Sequence, residues 1–142
     1  MALILDTGPL YATLDRSDKD HFPCRKLLQD WKKNREKLII PAPILPEVDY
    51  FVGKQLGVGI MLRLLKDIQS GGFLIEDLLP DDYRRVEELM DRYSDTKIGF
   101  VDASVMTIAE RLGEVQIATL DRRHFSMVRP RHADAFVLLP VV

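Results

Sequence analysis

Asp6 closes the short apolar run Ala2–Leu5, and Asp121 closes Ile117-Ala118-Thr119-Leu120. In an open parallel sheet, ligands bind in the crevice beyond the carboxyl ends of the strands, where the strand order reverses. Two carboxylates at two such ends are therefore candidates to face each other. Asp102 opens a helical pattern at Phe100-Val101-Asp102-Ala103-Ser104, and Glu47 lies in the first turn of another that starts near Pro46. Glu47 is three residues after Ile44 and four before Phe51, which points it along an apolar face. Four converging acids repel one another, and burial makes that worse. Hard divalent cations with oxygen ligands relieve the repulsion, with Mg²⁺ or Mn²⁺ the usual choice. The hydroxyls of Thr7, Ser104 and Thr119 stand one or two residues from these acids and suit an outer shell that orients the ligands.

Each acid also has an ordinary structural reading. Asp6 and Asp121 are placed to cap the helices that follow them, and so is Asp102. Glu47 in a first turn complements a helix dipole. The pattern of acid-tipped strands points to a site more strongly than any one member does.

The elements that would position these acids alternate along the chain. Strand-like runs are Ala2–Leu5, Leu38–Ile40, Phe73–Ile75, Val115–Thr119 and Phe136–Leu139. Their continuous apolar character fits strands covered on both faces. Helical spacing appears over Asp20–Glu36, after Gly57 up to Gly71-Gly72, at Val86, Leu89, Met90 and Tyr93, and at Val101, Val105, Ile108 and Leu112. Strands alternating with helices predict βα units, parallel pairing and an α/β sandwich.

Composition sets the frame. At 142 residues the chain is close to one average domain, and residues 1–142 read as a single unit without repeat or linker. Hydrophobic residues make up 46% and charged residues 30%, which excludes a disordered or fibrous chain. The net charge of −2 means that a nucleic-acid partner needs a local basic patch. Arg122 and Arg123 directly follow Asp121, and Arg129 and Arg131 continue the run without an intervening acid. Lys32, Lys33, Arg35 and Lys37 sit at a helix end and read as dipole complement. One cysteine, Cys24, forbids an internal disulfide and suits a cytoplasmic location. No apolar run is long enough for a signal peptide or a membrane span.

The segments Leu5-Asp6-Thr7-Gly8-Pro9-Leu10-Tyr11-Ala12, Glu47-Val48-Asp49-Tyr50, Phe100-Val101-Asp102-Ala103-Ser104 and Ala118-Thr119-Leu120-Asp121-Arg122-Arg123-His124-Phe125 resemble the four motifs of PIN-domain ribonucleases, and most closely those of the VapC type of toxin–antitoxin modules. Asp15, Asp18 and His21 are similar to a further pattern of that family. The resemblance implies a three-layer α/β/α sandwich with a five-stranded parallel sheet. It also implies a Mg²⁺- or Mn²⁺-dependent endoribonuclease with Asp6, Glu47, Asp102 and Asp121 as metal-binding and catalytic acids. Asp6 and Asp102 are the first choices as direct ligands, and Asp95 is a candidate outer acid. A cognate antitoxin and a homodimer are the implied protein partners. The apolar residues Val52, Leu56, Ile60, Met61 and Leu64 exceed what one buried helix face requires and make the second helical pair a candidate interface.

Such a site hydrolyses RNA by in-line attack of water, leaving a 5′-phosphate and a 3′-hydroxyl. Arg122 and Arg123 are placed to hold RNA phosphate beside the metals. His21, His124 and His132 show no ligand or dyad spacing and read as structural or phosphate-contacting. Cys24 lacks a catalytic partner and reads as packed. Three rivals remain at this level. An aspartic protease would need a second Asp-Thr-Gly on an all-β fold, and a haloacid-dehalogenase-type phosphatase would need an acid where Gly8 stands. A non-catalytic scaffold of the same fold, binding RNA or protein, would lack metal-dependent cleavage.

Overall fold

The computed structural model describes residues 1–141. Five parallel strands form its centre: β1 (Ala2–Leu5), β2 (Lys37–Pro41), β3 (Leu74–Glu76), β4 (Gln116–Ala118) and β5 (Val137–Leu139), in the order β3-β2-β1-β4-β5. Seven α-helices connect them: α1 (Thr7–Leu14), α2 (His21–Lys33), α3 (Leu45–Gln55), α4 (Val58–Gln69), α5 (Asp82–Arg92), α6 (Phe100–Leu112) and α7 (Arg122–Met127). The chain builds outward from β1 through β2 to β3, then crosses to β4 on the other side. Right-handed crossovers in opposite directions place α1–α4 on one face and α5–α7 on the other. The result is the expected three-layer α/β/α sandwich.

Position in the sheet explains the character of each strand. Leu3, Ile4 and Leu5 in central β1 are fully buried, each worth about 1.5–3 kcal/mol relative to exposure. The edge strands β3 and β5 are largely uncovered. Phe73, expected to begin β3, is instead buried just before it, while Leu74 and Ile75 are exposed. The helix expected over Asp20–Glu36 runs from His21 to Lys33, because Arg35 takes a positive φ of 58° and turns the chain into β2. Gly71, at φ 88°, ends α4 as its composition predicts.

One expectation is corrected here. Val52, Met61 and Leu64 are buried in the core, and Leu56 and Ile60 pack against it. Covering the sheet accounts for these five residues. The exposed apolar side chains of the α3–α4 pair are Tyr50, Phe51, Val58, Leu62 and Leu65.

Candidate active site

The reversal of strand order falls between β1 and β4, and Asp6 and Asp121 follow the ends of those strands. Asp6 occupies the N-cap position of α1 but makes no capping side-chain bond. Its carboxylate accepts a hydrogen bond of 2.8 Å from the Thr119 hydroxyl. That hydroxyl in turn accepts from the backbone N–H of Asp121 at 3.0 Å, so one oxygen ties the two strand ends together. Glu47, in the first turn of α3, accepts 2.6 Å from the Thr7 hydroxyl. Gly8 lets the Leu120 side chain lie close against the first turn of α1; a Cβ there would meet it at 3.3 Å.

Asp121 has the capping role that its sequence position suggested, and it also meets a histidine. It caps α7 by accepting from the His124 N–H at 3.1 Å, and its other oxygen lies 2.8 Å from His124 Nδ1. The same Nδ1 is 3.3 Å from Asp102 in the first turn of α6. His124 Nε2 lies 2.9 Å from the Thr96 carbonyl. With an acceptor at each ring nitrogen, the charged imidazolium fits this setting. Burial pulls the His124 pKa down, but the bond to and charge of Asp121, the Thr96 carbonyl and Asp102 together raise it.

The carboxylates carry the marks of crowding. Asp6 is 7% exposed and its pKa is pushed up to about 6, first by burial and then by Asp102 and Glu47, against hydrogen bonds from the Thr119 hydroxyl and the Thr7 backbone N–H. Asp102 is also raised, by burial and by the charges of Asp121 and Glu47, with His124 opposing. Among the described residues no lysine or arginine forms an ion pair with any of the four acids. Ligand atoms of Asp102, Asp121 and His124 lie within 4.8 Å of one another, a group that does not include Asp6 or Glu47, and His124 could join a cation there only after losing its proton.

Other candidates are placed elsewhere. The Ser104 hydroxyl is fully buried and donates to the Phe100 carbonyl one turn back, so it does not reach the acids. Asp95 is exposed in the 3₁₀ turn Ser94–Thr96 and forms no hydrogen bond or ion pair among the described residues. Arg122 Nη1 donates to the Pro140 carbonyl at 3.2 Å, and Arg123 is exposed without a partner among the described residues. Arg129 faces Asp134, and Arg131 pairs with Glu88. His21 and His132 each bond a backbone carbonyl, that of Ala12 and that of Glu114. Cys24 is fully buried, and burial pushes its thiol up to about 11, which leaves it inert.

Residue-type reasoning missed His124. Its signal was the Asp121-x-x-His124 spacing, which on a short helix places the third residue's side chain back over the cap.

A model of the PIN domain matches residues 3–129. The chain belongs to the PIN-domain family. It is similar to ribonuclease VapC26 of Mycobacterium tuberculosis, at 28% identity over 138 residues, covering 97% of this chain and 100% of that protein. Among solved structures it is similar to M. tuberculosis VapC20, a Sarcin-Ricin loop cleaving toxin, with a TM-score of 0.75 and 16% identity over 86% of this chain and 92% of that one. VapBC2 from Rickettsia felis, bound to a DNA fragment from its promoter, gives a TM-score of 0.72 at 17% identity, covering 98% of each chain. DNA-bound VapBC from Salmonella typhimurium gives 0.70 at 17% identity, covering 98% of this chain and 97% of that one. The last three likenesses establish the PIN fold. Membership of this family gives no support to the protease and phosphatase alternatives. Among the described residues, no helix of this PIN domain is long and apolar enough to cross a membrane.

Proposed function

We propose that this PIN domain is a divalent-metal-dependent endoribonuclease and the toxin of a toxin–antitoxin pair. The observation that carries the reading is a group of four acids at the carboxyl edge of the sheet, two of them with raised pKa and none with a lysine or arginine counter-ion among the described residues. One histidine is the only cationic side chain paired with these four acids among the described residues, and the negative charge left over suits a cation from solution. The similarity to ribonuclease VapC26 along 97% of the chain supports RNA as substrate.

Asp6, Glu47, Asp102 and Asp121 would hold Mg²⁺ or Mn²⁺, whose carboxylate preference matches this donor set. When bound, such a cation supplies positive charge for the phosphoryl oxygens and lowers the pKa of water. The chain's own part is to aim and to exclude. Thr119 and Thr7 fix the orientations of Asp6 and Glu47. His124, held by the Thr96 carbonyl, sets the orientation of Asp121 relative to Asp102. Arg122 and Arg123 lie next to Asp121 and would hold RNA phosphate beside the acids.

An antitoxin partner is supported by the VapBC complexes that share the fold. A homodimer is favoured by the exposed Tyr50, Phe51, Val58, Leu62 and Leu65 on α3 and α4. Sedimentation at micromolar concentration should give a dimer; a monomer removes that part of the reading. The activity itself is tested with RNA, Mg²⁺ and a chelator. Cleavage that yields 5′-phosphate ends and stops on chelation is expected; binding without cleavage would favour the non-catalytic scaffold.

A further inference from the structure

Beside the acids, on the β5 side, the ends of β4 and β5 and the start of α2 enclose a cavity of about 460 Å³. This falls within the range of small-ligand sites and suits one nucleotide. Thr119 lines it, and the Thr119 hydroxyl is the one bonded to Asp6, so the cavity and the acids share a wall. Pro23, Leu120 and Pro140 give it apolar sides. Two cations complete it. Lys19 is exposed and makes no ion pair or hydrogen bond among the described residues. Arg122 is anchored by one N–H to the Pro140 carbonyl, and its remaining N–H groups have no partner among the described residues.

Resting on the ribonuclease reading above, we propose that this cavity seats the nucleotide adjoining the scissile phosphate of a single-stranded RNA. Lys19 and Arg122 take its phosphate, and the apolar sides take its base. Charge complementarity and continuity carry the assignment. A strand phosphate that meets a Lys or Arg adds affinity through counterion release. Neither cation of this cavity forms an ion pair among the described residues, and Arg122 directly follows Asp121 in the chain. A concave apolar pocket accepts a base only when it is unstacked, which selects single-stranded over duplex RNA. Asp20 also lines the cavity and offers an acceptor to a base amino group.

The test uses the full chain with Mg²⁺ and an oligoribonucleotide cut at one bond. Each phosphate flanking that bond is neutralised in turn by methylphosphonate substitution. In the wild type, neutralisation on one side of the bond should lower kcat/KM about tenfold, the loss of one charge-assisted contact. In Lys19→Ala the same substitution should cost less than about twofold, because the facing cation is already gone, and Lys19→Arg should restore the wild-type pattern. Equal costs in wild type and Lys19→Ala at both positions overturn the subsite while leaving the ribonuclease reading intact. A wild type that cleaves no RNA removes both.

Discussion

Two acidic neighbourhoods of this molecule follow opposite rules. Between α5 and α6, Asp82, Glu88 and Glu110 each meet an arginine. Glu110 takes two hydrogen bonds from Arg85, at 2.8 and 2.9 Å, and Asp82 takes one from Arg111 at 3.0 Å. Glu88 is shared by Arg85 and Arg131. At the carboxyl edge of the sheet, Asp6, Glu47, Asp102 and Asp121 have hydroxyls and a histidine but no arginine or lysine among the described residues. Acids of the same two types thus serve two ends. The first group clamps helices together, and the second holds negative charge in readiness for something from outside.

Removing one carboxylate from each group should separate the two most sharply. Asp102→Asn and Asp6→Asn remove a ligand charge with little change of shape, so RNA cleavage should fall by about three orders of magnitude. Without divalent cation their melting temperatures should hold or rise, because repulsion is relieved. Glu110→Gln should do the reverse. It removes the charge of the nearer of Arg85's two carboxylate partners, leaving Glu88 at 3.4 Å, and should lower stability by about 1–3 kcal/mol. Cleavage assays and thermal melts on the three variants check the contrast. Wild-type cleavage by either Asn variant breaks the site assignment.

The same opposition should appear as a pH dependence. Asp6 has a folded pKa of about 6, above the ~3.9 of an unfolded chain. Between those values the folded protein keeps a proton that the unfolded chain has lost. Stability is therefore greatest below about pH 4 as far as Asp6 is concerned, and it declines as pH rises through about 6. The slope from this one group is up to ~1.4 kcal/mol per pH unit. Denaturant melts of metal-free protein across this window should show the decline, and Asp6→Asn should flatten it. Added Mg²⁺ should flatten it also, since cation binding favours the ionised form. A wild-type curve no steeper than that of Asp6→Asn would contradict the raised pKa.

What the sequence discloses follows the same division. The run Leu3-Ile4-Leu5-Asp6 is legible because a central strand is buried on both faces and its end can only point into the crevice. The edge strands are displaced by about a residue from their apolar runs, because one covered face gives a weaker pattern. The hydroxyls divide by competition. Thr7 opens α1 and Thr119 follows β4, so neither has a helical carbonyl four residues back and both reach a carboxylate, whereas Ser104, inside α6, is captured by such a carbonyl. The excess of apolar residues on α3 and α4 misleads for a different reason. Periodicity identifies a buried face but does not say how wide the sheet beneath it is. His124 depends on the length of α7 and on the distance to Asp102, and both are tertiary facts.

A smaller effect probes the hydroxyls. Thr119→Val keeps the shape and removes both the bond to Asp6 and the one from the Asp121 N–H. The bond to Asp6 favours its charged form, so losing it should raise the Asp6 pKa further. Loss of such an outer contact is expected to weaken divalent-cation affinity about tenfold. Calorimetric titration with Mg²⁺ measures it; unchanged affinity would reduce Thr119 to a packing residue.

The smallest effect contrasts paired with unpaired arginines. Arg129 and Arg131 have Asp134 and Glu88 as partners, while Arg123 has none among the described residues and Arg122 bonds only a carbonyl. If the unpaired pair meets RNA phosphate, binding releases counterions, and each lost contact to a single strand lowers the salt slope by roughly 0.7. Arg122→Ala with Arg123→Ala should therefore flatten the plot of log K against log salt by about 1 to 1.5. Affinity should fall by a similar factor for every RNA sequence, since phosphate contacts position a strand without reading it. Divalent-cation affinity should hold or rise, because two positive charges beside Asp121 have gone. Binding is measured with Asp102→Asn protein, so that the RNA stays whole at every salt concentration. The matching change at Arg129 and Arg131 should flatten the slope less, because each of those charges lies beside an acid, Asp134 or Glu88. Equal flattening by the two double variants would mean that RNA follows the whole basic run, and the distinction between answered and unanswered charge would fail for its cations.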